Sequence, residues 1–87
     1  MTKIFLLPQA VEDLDQIRDP LFSEVIVKIQ LLKEFPLWGP PLDGPYLGYR
    51  ALTIGLFRII YRLASQESVE VAYIRHCKRR LLSIVGP

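Results

Sequence analysis

Cysteine and histidine occur once each in these 87 residues, side by side at His76 and Cys77. A lone cysteine excludes an internal disulfide, and one His with one Cys offers none of the paired spacings of a zinc site. No metal and no other cofactor is expected. Apolar runs are short as well, and none approaches the roughly 18 residues that a membrane-crossing helix needs. The opening "MTKIFLLPQAVEDLDQ" is broken by Pro8 and Glu12 before a signal-peptide core could form. The expectation is a cytoplasmic protein with no membrane partner.

Acidic residues are scarce in the second half. Residues 44 to 87 hold Arg50, Arg58, Arg62, Arg75, Lys78, Arg79 and Arg80 against Glu67 and Glu70, a net +5, whereas residues 1 to 43 carry a net −3. Arginine binds phosphate through two parallel hydrogen bonds, so the basic end points to a polyanion or an acidic partner. A merely solvated basic face is the competing explanation. Hydrophobic residues make up 51% of the chain and charged ones 23%, a balance that excludes disorder and suits one domain spanning residues 1 to 87.

"KIFLL", stopped by Pro8, reads as a strand. "PQAVEDLDQIRD" places Val11, Leu14 and Ile17 at helical spacing, with Pro8 at a tolerated first-turn position and acids in its early turns. Asp19 and Pro20 then form an N-cap and first helical residue for "LFSEVIVKIQLLKEF", which Pro36 ends. Phe22, Val25, Ile29 and Leu32 form one stripe of this second helix. Ile26, Val27 and Leu31 add apolar surface that either broadens the core contact or meets a partner. "PLWGPPLDGPYLG" holds four prolines and three glycines, which predicts a surface loop without regular structure, pinned by Trp38.

Beyond this loop the pattern is that of strands: "YRALTI", "FRIIYRL" and "VEVAYIRH", a three-stranded antiparallel meander. The predicted fold is therefore α+β, an N-terminal strand, two helices and the meander, with the helices packed on one face of the sheet.

Alternation in "FRIIYRL" sends Phe57, Ile59, Tyr61 and Leu63 to the helix side and Arg58, Ile60 and Arg62 to the open side. A turn centred on Gln66 sets Arg62 opposite Glu70 and brings His76 onto the arginine face, diagonal to Arg58. Arg62 is then either an ion-pair partner or a phosphate contact, while Arg58 has no counter-charge. A plain turn at Gly55-Leu56 puts Tyr49, Ala51 and Thr53 on the Arg58 face, and Arg50 joins them only if a bulge intervenes. Cys77 should point away from His76, which argues against a Cys-His dyad and for a small core residue.

The runs "GYRALTIGLFRIIYRL" and "VEVAYIRHCKRR" resemble the RelE/ParE superfamily of type II toxin-antitoxin toxins, over nearly the whole chain. For RelE-type members the resemblance implies a ribonuclease that cleaves messenger RNA on the ribosome, without metal, by attack of a ribose 2′-hydroxyl on the adjacent phosphate. It implies that Arg58 and Arg79 clamp that phosphate, that Arg50 assists, and that His76 moves protons unless it merely ends its strand. Arg62, Lys78 and Arg80 are expected to bind RNA or ribosomal phosphates, Lys78 and Arg80 alternatively an acidic antitoxin segment. Leu52 stands where the family carries a second basic residue, and Val85 near its C-terminal tyrosine. These departures suit the alternatives, a ParE-like inhibitor of DNA gyrase without nuclease activity or a degenerate toxin that only binds its antitoxin. Each version implies a cognate antitoxin that wraps the long helix and the basic end.

Overall fold

A computed structural model describes residues 2–76. Strand β1 (Lys3–Leu6) leads into helices α1 (Pro8–Asp15) and α2 (Leu21–Leu31), followed by strands β2 (Arg50–Ile54), β3 (Phe57–Ser65) and β4 (Ser68–His76). The meander is antiparallel, as the alternating runs imply, and β1 lies parallel to β4. The sheet is thus four-stranded and mixed, in the order β1-β4-β3-β2. No helix among the described residues is long and apolar enough to cross a membrane.

Both helices pack on one face. Ala10, Leu14 and Ile17 from α1 and its exit meet Val25, Ile29 and Leu32 from α2, over Leu52, Ile54, Ile59, Tyr61, Val69, Val71 and Ile74 of the sheet. Each fully buried aliphatic side chain here contributes on the order of 1.5–3 kcal/mol, so Ile59→Ala, at a position with no exposure, would cost about 2–5 kcal/mol. Ala10, not Val11, is the α1 residue turned inward, and Val11 stays exposed. The acids of α1 fall after its first turn, and one of them serves the sheet. The Asp13 carboxylate accepts the Ile74 backbone N–H at 2.9 Å, satisfying a donor on β4 beyond the point where β1 stops at the Leu6–Val71 pair.

Asp19 caps α2 from one residue before the helix boundary, its Oδ1 accepting the Ser23 N–H at 3.0 Å and the Ser23 hydroxyl at 2.6 Å, while Pro20 occupies the N-cap position. The helix stops at Leu31, short of Pro36. From Leu32 to Glu34 each N–H bonds to the carbonyl three residues back, a tightening that uses up the last helical carbonyls before the proline. Ile26 packs partly against the core, whereas Leu21, Phe22 and Val27 are exposed.

The loop is more ordered than its composition implies. Gly44–Tyr46 forms one 3₁₀ turn, and Pro41 makes a β-bridge to Arg50 at the β2 edge. Its anchor is Gly39 rather than Trp38. Gly39 is buried with its N–H donated to the Tyr61 hydroxyl at 2.8 Å, while Trp38 is 43% exposed against Phe35 and Lys28.

Candidate functional site

The sheet face opposite the helices carries the arginines. Ile54 pairs with Phe57 across a plain Gly55-Leu56 turn, which puts Thr53 opposite Arg58 and Ala51 opposite Ile60. No bulge intervenes, so Arg50 falls opposite Tyr61 and leaves this face. Its guanidinium Nη1 instead donates to the Gly39 carbonyl at 2.8 Å and, more weakly, to that of Leu37 at 3.4 Å. The register thus takes Arg50 off the arginine face, where a bulge would have placed it.

On the other side of β3, Ser65 pairs with Ser68 across a Gln66-Glu67 turn, not a turn centred on Gln66, and a register shift between Leu63 and Ser65 follows. Arg62 pairs with Glu70 and their side chains form an ion pair at 2.9 Å. The guanidinium also lies over the Tyr49 ring at 5.6 Å from its centroid. Glu70 raises the Arg62 pKa, first through the hydrogen bond and then through its charge. Arg62 already has its anion.

Between Ile60 and Tyr61 the pairing then shifts by one residue: Tyr61 faces Val71, but Ile60 faces Tyr73, leaving Ala72 as the extra residue of a β-bulge. Everything beyond it on β4 changes sides relative to an unbroken ladder. Arg75 arrives directly opposite Arg58, and His76 arrives opposite Phe57, whose ring it meets edge-on at 5.0 Å between centroids. His76 is therefore on the Phe57 side of β3, not on the arginine face, which overturns its expected placement beside Arg58. Lys78, Arg79 and Arg80, with Cys77 and Val85, lie outside the described residues.

The middle of the face is not bare. Tyr46, carried by the 3₁₀ turn, packs edge-on against both Tyr49 and Tyr73 at 6.5 Å, rings that the register sets on either side of Ala51 and Ile60. This explains why Ala51 and Ile60 are buried although they point away from the helices. The plain Gly55-Leu56 turn puts Tyr49 on this face, but the sequence patterns single out none of the three tyrosines as a site residue. The signal available was the "PYLGY" run just before β2, combined with Tyr73 two residues before Arg75.

What remains open is one end of the face: Thr53, Arg58 and Arg75, flanked by Tyr73. Arg58 is half-buried and makes no hydrogen bond, ion pair or ring contact among the described residues. Arg75 lies over the Tyr73 ring at 4.7 Å and has the Asp13 carboxylate at 3.9 Å, a loose contact for an ion pair. A hollow of about 130 Å³ lies on the helix side of this end, lined by Asp13, Gln16, Ile17, Phe57, Ile74, Arg75 and His76. Two directly opposed arginines, of which only Arg75 has an anion, the loose Asp13 contact, form a site for an anionic group such as a phosphate. Among the described residues no three His, Cys, Asp or Glu side chains converge as metal ligands would.

The architecture is shared with solved toxins. The RelBE2 toxin-antitoxin complex of Mycobacterium tuberculosis includes a chain that is 22% identical, with 86% of this chain and 96% of that one covered at a TM-score of 0.79. YafQ of E. coli is 19% identical over 92% and 98% of the two chains at 0.73. The chromosomal ParDE system of P. aeruginosa gives 18% identity over 87% and 96% at 0.72. At these identities the likeness is one of fold. No curated protein sequence matches the chain significantly. The family model of the ParE toxins of type II toxin-antitoxin systems (parDE) matches residues 4–81. The chain therefore belongs to the ParE toxin family of type II toxin-antitoxin systems, within the RelE/ParE superfamily.

Proposed function

We propose that this toxin acts on RNA, with the Arg58–Arg75 end of the sheet holding the reacting phosphate. The observation that carries the reading is the direct opposition of Arg58 and Arg75 across the β3–β4 ladder, like charges with no anion provided for Arg58 by any described residue. Like charges on opposed rungs cost stability, and a bound phosphate removes that cost. The reaction that the RelE-type resemblance implies, attack of a 2′-hydroxyl on its own phosphate with departure of the next nucleotide's 5′-oxygen, builds an extra negative charge on the phosphorane. Fixed guanidiniums stabilise that charge more than they stabilise the ground state, and loss of one such donor costs about 10²–10³ in rate. Arg79, the second clamp residue implied by the resemblance, follows shortly after the end of β4 in sequence. In this reading Arg58 and Arg75 supply charge stabilisation, and His76 has no part by virtue of its strand position.

A second reading has its own support. The turn of His76 towards Phe57 takes the expected proton-transfer group off the arginine face, and the matching family model is that of ParE toxins. On that basis the toxin inhibits DNA gyrase by binding and cleaves nothing. Purified toxin is to be added in parallel to a ribosome-programmed translation reaction, with the messenger mapped by primer extension, and to a gyrase supercoiling reaction. Cleaved messenger that disappears with Arg58→Ala supports the first reading. Intact messenger with blocked supercoiling overturns it for the second.

Both readings include a cognate antitoxin. The exposed apolar residues Leu21, Phe22 and Val27 on α2, with Leu37 and Trp38 nearby in sequence at the loop entry, are the surface proposed for it.

A further inference from the structure

We infer that Arg50 is a positioning residue, the bolt of a clasp that fixes the 37–49 loop and through it the tyrosine wall beside Arg58; this rests on the arginine face being the working face. The clasp has three parts. Arg50 donates to the Gly39 carbonyl at 2.8 Å and the Leu37 carbonyl at 3.4 Å, and the Tyr61 hydroxyl accepts the Gly39 N–H at 2.8 Å. Arg50 and Tyr61 are cross-strand partners, so one rung of the β2–β3 ladder grips both polar groups of a single glycine. Only glycine fits this seat, because a β-carbon there would lie 2.6 Å from the Ala51 carbonyl oxygen and 3.1 Å from the Tyr61 ring.

From this anchor the loop is led along the β2 edge. The Ala51 N–H bonds to the Pro40 carbonyl, Pro41 bridges to Arg50, and the Leu42 N–H bonds to the Tyr49 carbonyl. The 3₁₀ turn then returns the chain with Tyr46 set between Tyr49 and Tyr73. Arg50 thus acts on the face it does not occupy. Without the clasp, Tyr46 loses the seat from which it meets Tyr73, whose ring carries Arg75.

Trp38, the sole tryptophan, adjoins Gly39 and reports the clasp without a label. Tyr61→Phe removes only the hydroxyl and leaves every charge in place, while Arg50→Lys keeps the charge but replaces the planar guanidinium by a compact ammonium. Trp38 emission and urea unfolding are to be measured on purified toxin, with growth arrest on induction in cells. The expected result is a red shift of Trp38 emission and weakened growth arrest in both Arg50→Ala and Tyr61→Phe, with a partial loss in Arg50→Lys. The double variant Arg50→Ala, Tyr61→Phe should be no worse than Arg50→Ala alone, as for two residues acting through one contact. Arg50→Ala that loses growth arrest while keeping wild-type Trp38 emission would mean direct target contact and overturn the inference, as would wild-type Trp38 emission in Tyr61→Phe. Arg58→Ala separates the two levels: continued growth arrest there counts against the face as the working site, whereas the clasp is read from Trp38 in any case.

Discussion

Arg58 of β3 stands directly opposite Arg75 of β4, on a rung reached after the ladder shifts register twice, between Leu63 and Ser65 and again at Ala72, immediately before Tyr73 resumes it. A sheet has little reason to oppose two guanidiniums for its own sake. Directly opposed positions hold their β-carbons about 5 Å apart, and like charges there are unfavourable by roughly 0.2–1 kcal/mol.

That relationship gives the first prediction. Arg58→Ala is expected to abolish growth arrest on induction while leaving the urea midpoint of the purified protein unchanged or slightly raised. Loss of growth arrest together with a marked drop in the midpoint would instead make Arg58 a structural residue.

Arg62 serves as the contrast on the same strand. Its charge is already matched by Glu70 at 2.9 Å on an exposed stretch, and exposed pairs contribute little. Arg62→Ala should barely move the urea midpoint and should weaken growth arrest far less than Arg58→Ala does.

Asp13 ties α1 to the free side of β4 through the Ile74 N–H. Asp13→Ala leaves that part-buried donor unsatisfied, at a cost of about 1–3 kcal/mol in denaturant unfolding. Asp13→Asn, which retains a carbonyl acceptor, should recover most of the loss, and equal destabilisation by the two variants would contradict the role.

Gly39→Ala forces a β-carbon to 2.6 Å from a backbone oxygen that cannot swing aside. The expected destabilisation is about 1–3 kcal/mol, the usual cost of overpacking. Alanine at Gly44 meets no neighbouring atoms, but its φ of 62° makes that substitution a test of backbone strain alone.

Alkaline pH should loosen the fold through Tyr61. Burial raises its pKa above 10.0, against the opposing pull of the Gly39 N–H and of the Arg50 charge. The folded state therefore holds this proton more tightly than the unfolded state, and its contribution to stability is complete below pH 10 and lost as pH rises through the folded pKa. Urea midpoints compared at neutral and strongly alkaline pH should fall less in Tyr61→Phe than in the wild type.

How far the sequence reached can be judged rung by rung. The Gly55-Leu56 turn was legible because alternating strands leave a two-residue connection one simple register, and Ile54 does pair with Phe57. Arg62 does face Glu70, but the turn is Gln66-Glu67 with Ser65 paired to Ser68, not one centred on Gln66, and a register shift between Leu63 and Ser65 restores that pairing. His76 was misplaced because side-chain direction in a strand is a count of residues modulo two, and one extra residue at Ala72 inverts every later assignment. No residue type in "VEVAYIRH" announces that insertion.

The loop failed for a different reason. Its four prolines and three glycines correctly exclude a helix or a long strand, yet composition is silent on which residue anchors it. Trp38 offered the larger apolar surface, but the anchor is Gly39, the residue small enough to let backbone meet backbone at the β2 edge.

By itself, then, the amino-acid order determined the succession of strand, helices and meander, the apolar faces that join them, and the arginine-bearing side of β3. These depend on periodicity and on turn chemistry, both of which are local. The tertiary structure alone decided which arginines share an end of that face, that Arg50 grips the loop, and that Tyr46 packs between Tyr49 and Tyr73. Those outcomes rest on two register shifts in the β3–β4 ladder and on hydrogen bonds between residues 11 to 22 positions apart, and contacts of that range take their partners from packing, not from spacing along the chain.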